Sequence, residues 1–137
     1  MIAESATTTY LVPEPFEQAL LALRRVLAQA NLPVTGELDM SRRLRESLLI
    51  GLTPLRVLFI AAPPWTFSRL AEAPGIVALT PLHVVVSARG SQTEIHFLRT
   101  VPTDLSPVDE PVMRAIHRLQ DRITQAVERI GMRATLV

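Results

Sequence analysis

Cysteine is absent from the 137 residues, which excludes thiolate nucleophiles, disulfides and cysteine-ligated zinc or iron–sulfur sites. Lysine is missing too, because all fourteen basic residues are arginine, so a Schiff-base lysine and a phosphate-loop lysine are excluded. Aromatic residues are few: four Phe, one Tyr and one Trp must supply every large ring in the core. Charge of one sign is also lacking. The formal net charge of +1 is too balanced for the global field to suggest a nucleic-acid partner. The longest apolar runs, around 48–52 and 57–65, fall well short of the roughly 18 residues of a membrane span, and the second contains Pro63 and Pro64. The start of the chain has no basic segment followed by an apolar one, so no secretory signal is read there and the expected location is the cytoplasm.

What is present is enough apolar matter, 48% of the residues, for one core. The length suits a single domain spanning residues 1–137. Residues 7–12 are β-branched and aromatic and end at Pro13, as a strand does. From Phe16 the period changes. Phe16, Ala19, Leu20, Leu23, Leu27 and Ala30 form one stripe at helical spacing, with Pro15 in the tolerated first turn and Pro33 beyond the end. Residues 33–40 read as a second strand with Glu37 and Asp39 on one face. A short helix follows over 41–50, with Ser41 as its N-cap and Gly51 at its end.

The run 55–61 suits a central strand, stopped by Pro63 and Pro64 before a short helical segment through Trp65, Phe67 and Leu70. Trp65 and Phe67 either close an edge of the core or anchor a partner. Residues 76–87, broken by Pro81, and 93–100 flank a turn signal at Arg89 and Gly90 and form a hairpin. Asp109 can cap a final long helix whose buried stripe is Val112, Ile116, Leu119, Ile123, Ala126, Val127 and Ile130. Strands outnumber helices. The expected fold is therefore α+β: a two-layer, mainly antiparallel sheet with two long helices packed on one face and the other face left for a subunit or a ligand.

With the hairpin turn centred on Arg89 and Gly90, Val86 faces Thr93, Val84 faces Ile95 and Leu82 faces Phe97 on an apolar side. The opposite side then pairs Val85 with Glu94 and His83 with His96. Two imidazoles and a carboxylate, His83, Glu94 and His96, are a competent ligand set for zinc or another divalent ion. Polar residues on an exposed or subunit-facing strand need no metal, however, and that plainer account is preferred because no fixed-spacing motif accompanies them.

Arg42, Arg43 and Arg45 near a helix start could grip a small anion, but a solvated helix face is the preferred account, since three arginines without a glycine-rich loop lack specificity. Glu37 and Asp39 could work as paired carboxylates or simply line a wet strand edge. Arg114, Arg118, Arg122 and Arg129 alternate with acidic and amide residues opposite the apolar stripe of the last helix, an ordinary wet face. No G-x-S-x-G turn places a hydroxyl beside His83, His96 or His117.

Several strings in this order resemble a bacterial and archaeal family, domain of unknown function 302. They are F-x-x-A at Phe16 and Ala19, E-x-D at Glu37 and Asp39, the apolar strand from Leu58 to Pro63, and Leu70. The turn at Ala73 and Pro74, the segment Leu79 to Leu82, and the strand Val84 to Val86 complete them. Where many relatives carry cysteines this chain has Ala61 and Leu82, so no thiol or redox role is carried over. The resemblance implies a β-α-β4-α sheet with two helices on one side, often assembled as a homodimer, and brings no established catalytic activity. The expectation is a non-catalytic ligand-binding or interaction domain that requires no cofactor. It dimerises through a face holding His83, Val85, Glu94, His96 and Leu98, and a metal-assisted enzyme built on His83, Glu94 and His96 is the alternative.

Overall fold

A computed structural model of the chain describes residues 7–48, 53–61, 64, 83–98 and 110–134. Strand β1 (Thr7–Val12) leads into helix α1 (Phe16–Gln29), followed by β2 (Val34–Asp39), α2 (Met40–Leu48) and β3 (Leu55–Ile60). The hairpin strands β4 (His83–Arg89) and β5 (Gln92–Leu98), helix α3 (Glu110–Glu128) and a two-residue strand β6 (Met132–Arg133) complete the order. The strands form one sheet in the order β2-β3-β4-β5-β1-β6, with every pairing antiparallel. This is the expected α+β architecture with one additional short strand. Expectations for the segment through Trp65, Phe67 and Leu70, for residues 76–82, and for caps at Gly51 and Asp109 fall outside the described residues.

Alternation within the strands decides which face is dry. Tyr10 and Val12 of β1, Leu58 and Ile60 of β3, Val84 and Val86 of β4, and Ile95 and Phe97 of β5 are all buried. They share one core with Leu20, Leu23 and Leu27 of α1 and with Leu119, Ile123 and Val127 of α3, so both long helices cover the same face of the sheet. Tyr10 and Phe97 stack with centroids 5.8 Å apart, filling the β1–β5 part of the core with two of the six rings.

Local chemistry sets the helix ends. Pro15 stands at the N-cap of α1 rather than inside its first turn, and its carbonyl accepts the Ala19 N–H at 2.9 Å. At the other end Asn31 takes the left-handed conformation (φ 61°), while Asn31 N–H bonds the Ala28 carbonyl and Leu32 N–H bonds the Leu27 carbonyl. That is a Schellman closure with Asn in the position glycine usually holds, and it drives Leu32 fully into the core. The cap of α2 is Asp39, not Ser41. Asp39 Oδ1 accepts both the Arg42 N–H at 2.9 Å and the Ser41 hydroxyl at 2.8 Å.

The hairpin differs from expectation by one notch. Arg89 pairs with Gln92, so Gly90 and Ser91 are the central residues, and Gly90 carries φ +62°. A positive φ at the first central residue, followed by an ordinary one, is the two-residue turn that suits Gly-Ser, and glycine reaches it without a Cβ clash. Moving the turn centre by one residue shifts every cross-strand pair by two. Face membership therefore survives while partners change: Val86 faces Ile95, Ser87 faces Glu94 and Val85 faces His96.

Candidate functional site

The sheet face turned away from the two long helices carries Leu11 of β1, Val57 and Phe59 of β3, His83, Val85 and Ser87 of β4, and Glu94, His96 and Leu98 of β5. His83, Val85, Glu94, His96 and Leu98 thus share a face, as the alternation predicts. Phe59 is 44% exposed on this surface, near the end of β3 and beside the edge strand β2. Gly36 lies opposite it on β2, leaving one side of the ring unscreened by any side chain from that pair.

His96 is the most constrained polar group on this face. Thr9, its direct partner on β1, brings Oγ1 to 2.9 Å from Nδ1, and Ser87 on β4 brings Oγ to 3.1 Å from Nε2. A neutral imidazole has one N–H donor and one lone pair, and two hydroxyls satisfy both. Burial lowers the pKa of His96 below the usual histidine value, with the Glu94 carboxylate pulling the other way by less. The ring is therefore held neutral between two hydroxyls, a neighbourhood that spans three strands and two distant parts of the chain.

This geometry corrects the expected meeting of His83 and His96. His96 stands opposite Val85, and His83 stands opposite Phe59 on its other flank. Among the described residues no group of three or more His, Asp or Glu is gathered closely enough to hold a metal ion. The cause is the turn. With Gly90 and Ser91 at the centre, His83 lies two residues away from the position that faces His96, and both His96 nitrogens already have hydroxyl neighbours. Glu94 turns to Arg89, with the two side chains 3.4 Å apart.

The acidic pair lies on the edge strand β2, with Glu37 exposed, and it also holds arginines. Glu37 and Asp39 face the helix side, where Arg56 reaches Glu37 at 2.9 Å, Glu17 at 3.7 Å and Asp39 at 3.9 Å, and lies 5.6 Å from the centre of the Phe16 ring. Arg24 of α1 pairs with the other Glu37 oxygen. These contacts pin α1 to β2 and β3, and Asp39 also caps α2. Of the arginine trio, Arg42 is exposed and pairs with Glu46 one turn on at 3.3 Å, Arg43 is exposed, and the side chain of Arg45 lies outside the described residues.

Sequence reasoning did not identify Thr9 and Ser87 as neighbours of His96. The contact spans 87 residues in one case, and only the placement of β1 beside β5 creates it. A second omission is Gln120, which is buried on α3 behind Thr8 and Tyr10. Its signal was available, since position 120 follows Ile116 by one turn and precedes Ile123 and Val127 on the same stripe.

No helix among the described residues is long and apolar enough to cross a membrane. No curated protein matches the chain. Among solved structures, the chain is similar to the crystal structure of an uncharacterized conserved protein DUF302 from Bacillus stearothermophilus. The TM-score is 0.77 at 21% identity, over 90% of this chain and 97% of that one. At that identity the likeness speaks for the fold alone. The model of the family described as domain of unknown function DUF302 matches residues 8–130, from the second residue of β1 to two residues past α3, and so takes in both long helices, the hairpin and every strand of the sheet except β6. By that match, over nearly its whole length, the chain belongs to the DUF302 family.

Proposed function

We propose that this chain is a non-catalytic domain that works as a homodimer, pairing through the sheet face that neither long helix covers. The observation that carries this reading is Phe59, 44% exposed near the end of β3, with Leu11, Val57, Val85 and Leu98 half-buried on the same side. A large ring held in water on a sheet face is a recognised mark of an interaction surface when apolar neighbours extend it. Among the described residues, Arg89 and Glu94 on this face form a matched pair, which limits the like-charge field where two copies related by a two-fold axis meet. The non-catalytic part of the reading draws on how the polar groups are used. His96 is occupied by two hydroxyls and Arg56 by carboxylates, arrangements that hold strands together. The cytoplasm is the location that goes with this proposal.

Sedimentation velocity and light scattering test it. The wild-type chain is expected to be a dimer at about 100 μM, with an interface of about 1,000 Å² or more of total burial. Phe59→Glu places a carboxylate on the patch and is expected to leave a folded monomer, because the side chain it replaces is already exposed. A wild-type monomer at high micromolar concentration, or a Phe59→Glu dimer of unchanged affinity, would overturn the reading.

A further inference from the structure

We propose, resting on the pairing of outer sheet faces proposed above, that the self-association is acid-sensitive: the dimer forms while His96 is neutral in both copies and comes apart when the ring takes up a proton. The ground for this is the place of His96 on that face.

The strand register lays a row of side chains across the outer face, from Leu38 on β2 through Val57, Val85 and His96 to Thr9 on β1. All five are half-buried. Leu38, Val57 and Val85 are aliphatic, and His96 is the one member of the row that can acquire a charge. Its strand has β1 and β6 beyond it on one side and β4, β3 and β2 on the other, so the ring stands well inside the sheet. A second copy laid on this face removes the water that the half-buried ring still meets. Taking an imidazolium out of water costs far more than taking out a neutral ring.

The two hydroxyls around the ring add a second reason. Neutral His96 accepts a proton at one nitrogen and donates from the other, so one of Thr9 and Ser87, at 2.9 and 3.1 Å, donates to it. An imidazolium only donates. That hydroxyl must then turn its own proton elsewhere, which water accepts in the single copy and an apolar partner face does not.

Among the described residues, the ionisable groups on this face around the ring are Glu94 two positions along β5, Arg89 paired with Glu94, and His83 on β4. The side chains that β1 and β3 place there, Thr9, Leu11, Val57 and Phe59, carry no charge. Arg133 of β6 stands opposite the inward-facing Tyr10, and Arg56 lies over Phe16 of α1, so both belong to the helix side. Glu94 favours the charged ring, but burial already outweighs it in the single chain, and Arg89 engages its carboxylate at 3.4 Å. Covering the face adds to desolvation, the larger of the two effects. A two-fold dimer carries the ring twice, so the dissociation constant can rise by as much as about a hundredfold per pH unit below the His96 pKa of the single chain.

The test is sedimentation velocity of the wild type and of His96→Gln from about pH 7.5 to 5, with circular dichroism restricting the comparison to the range in which both are folded. The wild-type dissociation constant is expected to rise about tenfold or more over that range, and that of His96→Gln to change by less than about threefold. His83→Gln removes the other imidazole of the face and is expected to keep the acid loss. A second measurement needs no variant. Followed through pH by carbon–proton NMR, the His96 ring is expected to titrate at lower pH in concentrated than in dilute wild-type protein, because linkage is reciprocal. A wild-type constant that changes by less than about threefold, an acid loss that survives His96→Gln, or a ring midpoint independent of concentration overturns the acid sensitivity and leaves the dimer standing. A wild-type monomer at about pH 7.5 and high micromolar concentration removes the dimer and its acid sensitivity together.

Discussion

The neutral state of His96 makes a prediction about stability and pH. In the unfolded chain the ring titrates near 6.5, and in the folded protein burial between Thr9 and Ser87 holds its pKa lower. Above pH 6.5 the ring is neutral in both states and contributes no slope. As the pH falls through 6.5 the unfolded chain takes up a proton that the folded protein refuses, so stability declines until the folded pKa is passed. One proton sets a ceiling of about 1.4 kcal/mol per pH unit on that decline. The ring is only partly removed from solvent, so roughly half the ceiling is expected, or about 0.5 to 1 kcal/mol between pH 7 and 5.5. The assay is urea unfolding across that window for the wild type and for His96→Gln, whose amide keeps a donor and an acceptor for the two hydroxyls and does not titrate. The difference between the two curves isolates the ring from every carboxylate. Parallel curves would refute the reasoning. A difference that widened in favour of the wild type as the pH fell would show that Glu94 outweighs burial.

Two further substitutions probe the frame around the site. At Gly131 an added Cβ would lie 2.8 Å from the Leu11 carbonyl oxygen and 3.1 Å from Val12 Cγ2, so Gly131→Ala must push β6 off β1. A loss of about 1–3 kcal/mol in thermal or urea unfolding is expected. Gly36→Ala is the control: its nearest neighbour is Phe59 Cδ2 at 3.6 Å, ordinary contact, and a change within about 0.5 kcal/mol is expected. Equal effects at the two glycines would show that the close approach at Gly131 has no energetic weight. Arg56→Met keeps the apolar stem over Phe16 but leaves Glu37 and Asp39 without their shared cation. A loss of about 1–2 kcal/mol that shrinks in high salt is expected, and a salt-independent loss would assign the effect to packing.

The elements whose signal is local were legible in the sequence. Phe16, Ala19, Leu20, Leu23 and Leu27 are spaced for one buried helical stripe, and all are buried. Ile116, Leu119, Ile123, Ala126 and Val127 repeat the case on α3. Alternation also assigned the hairpin's two faces correctly, because a strand's period of two survives an error in the turn. The turn itself was misplaced because Arg-Gly and Gly-Ser both read as two-residue turns, and only the pairing of Arg89 with Gln92 separates them. The cap of α2 was misassigned for a similar reason. Asp39 and Ser41 are both good capping residues two positions apart, and the strand pairing of Asp39 with Arg56 settles where β2 stops and the helix begins. The two-residue β6 is too short for any period, and the setting of His96 depends on β1 lying beside β5.

The two polar groups that matter most are distinguished by what satisfies them. His96 is enclosed by partners from its own chain on both ring nitrogens, so its hydrogen bonding is complete within the fold, where it joins β1, β5 and β4 across the outer face. A metal ion there would have to displace a hydroxyl and recruit ligands that the hairpin register holds apart. Gln120 is the reverse case, more deeply buried than His96 but with its amide nitrogen unanswered. An unsatisfied buried amide costs about 1–3 kcal/mol, a large share of the stability of a domain this size. A satisfied polar group adds to stability and an unsatisfied one subtracts from it. The outer sheet face, with its exposed Phe59, is the surface that the proposed self-association would use.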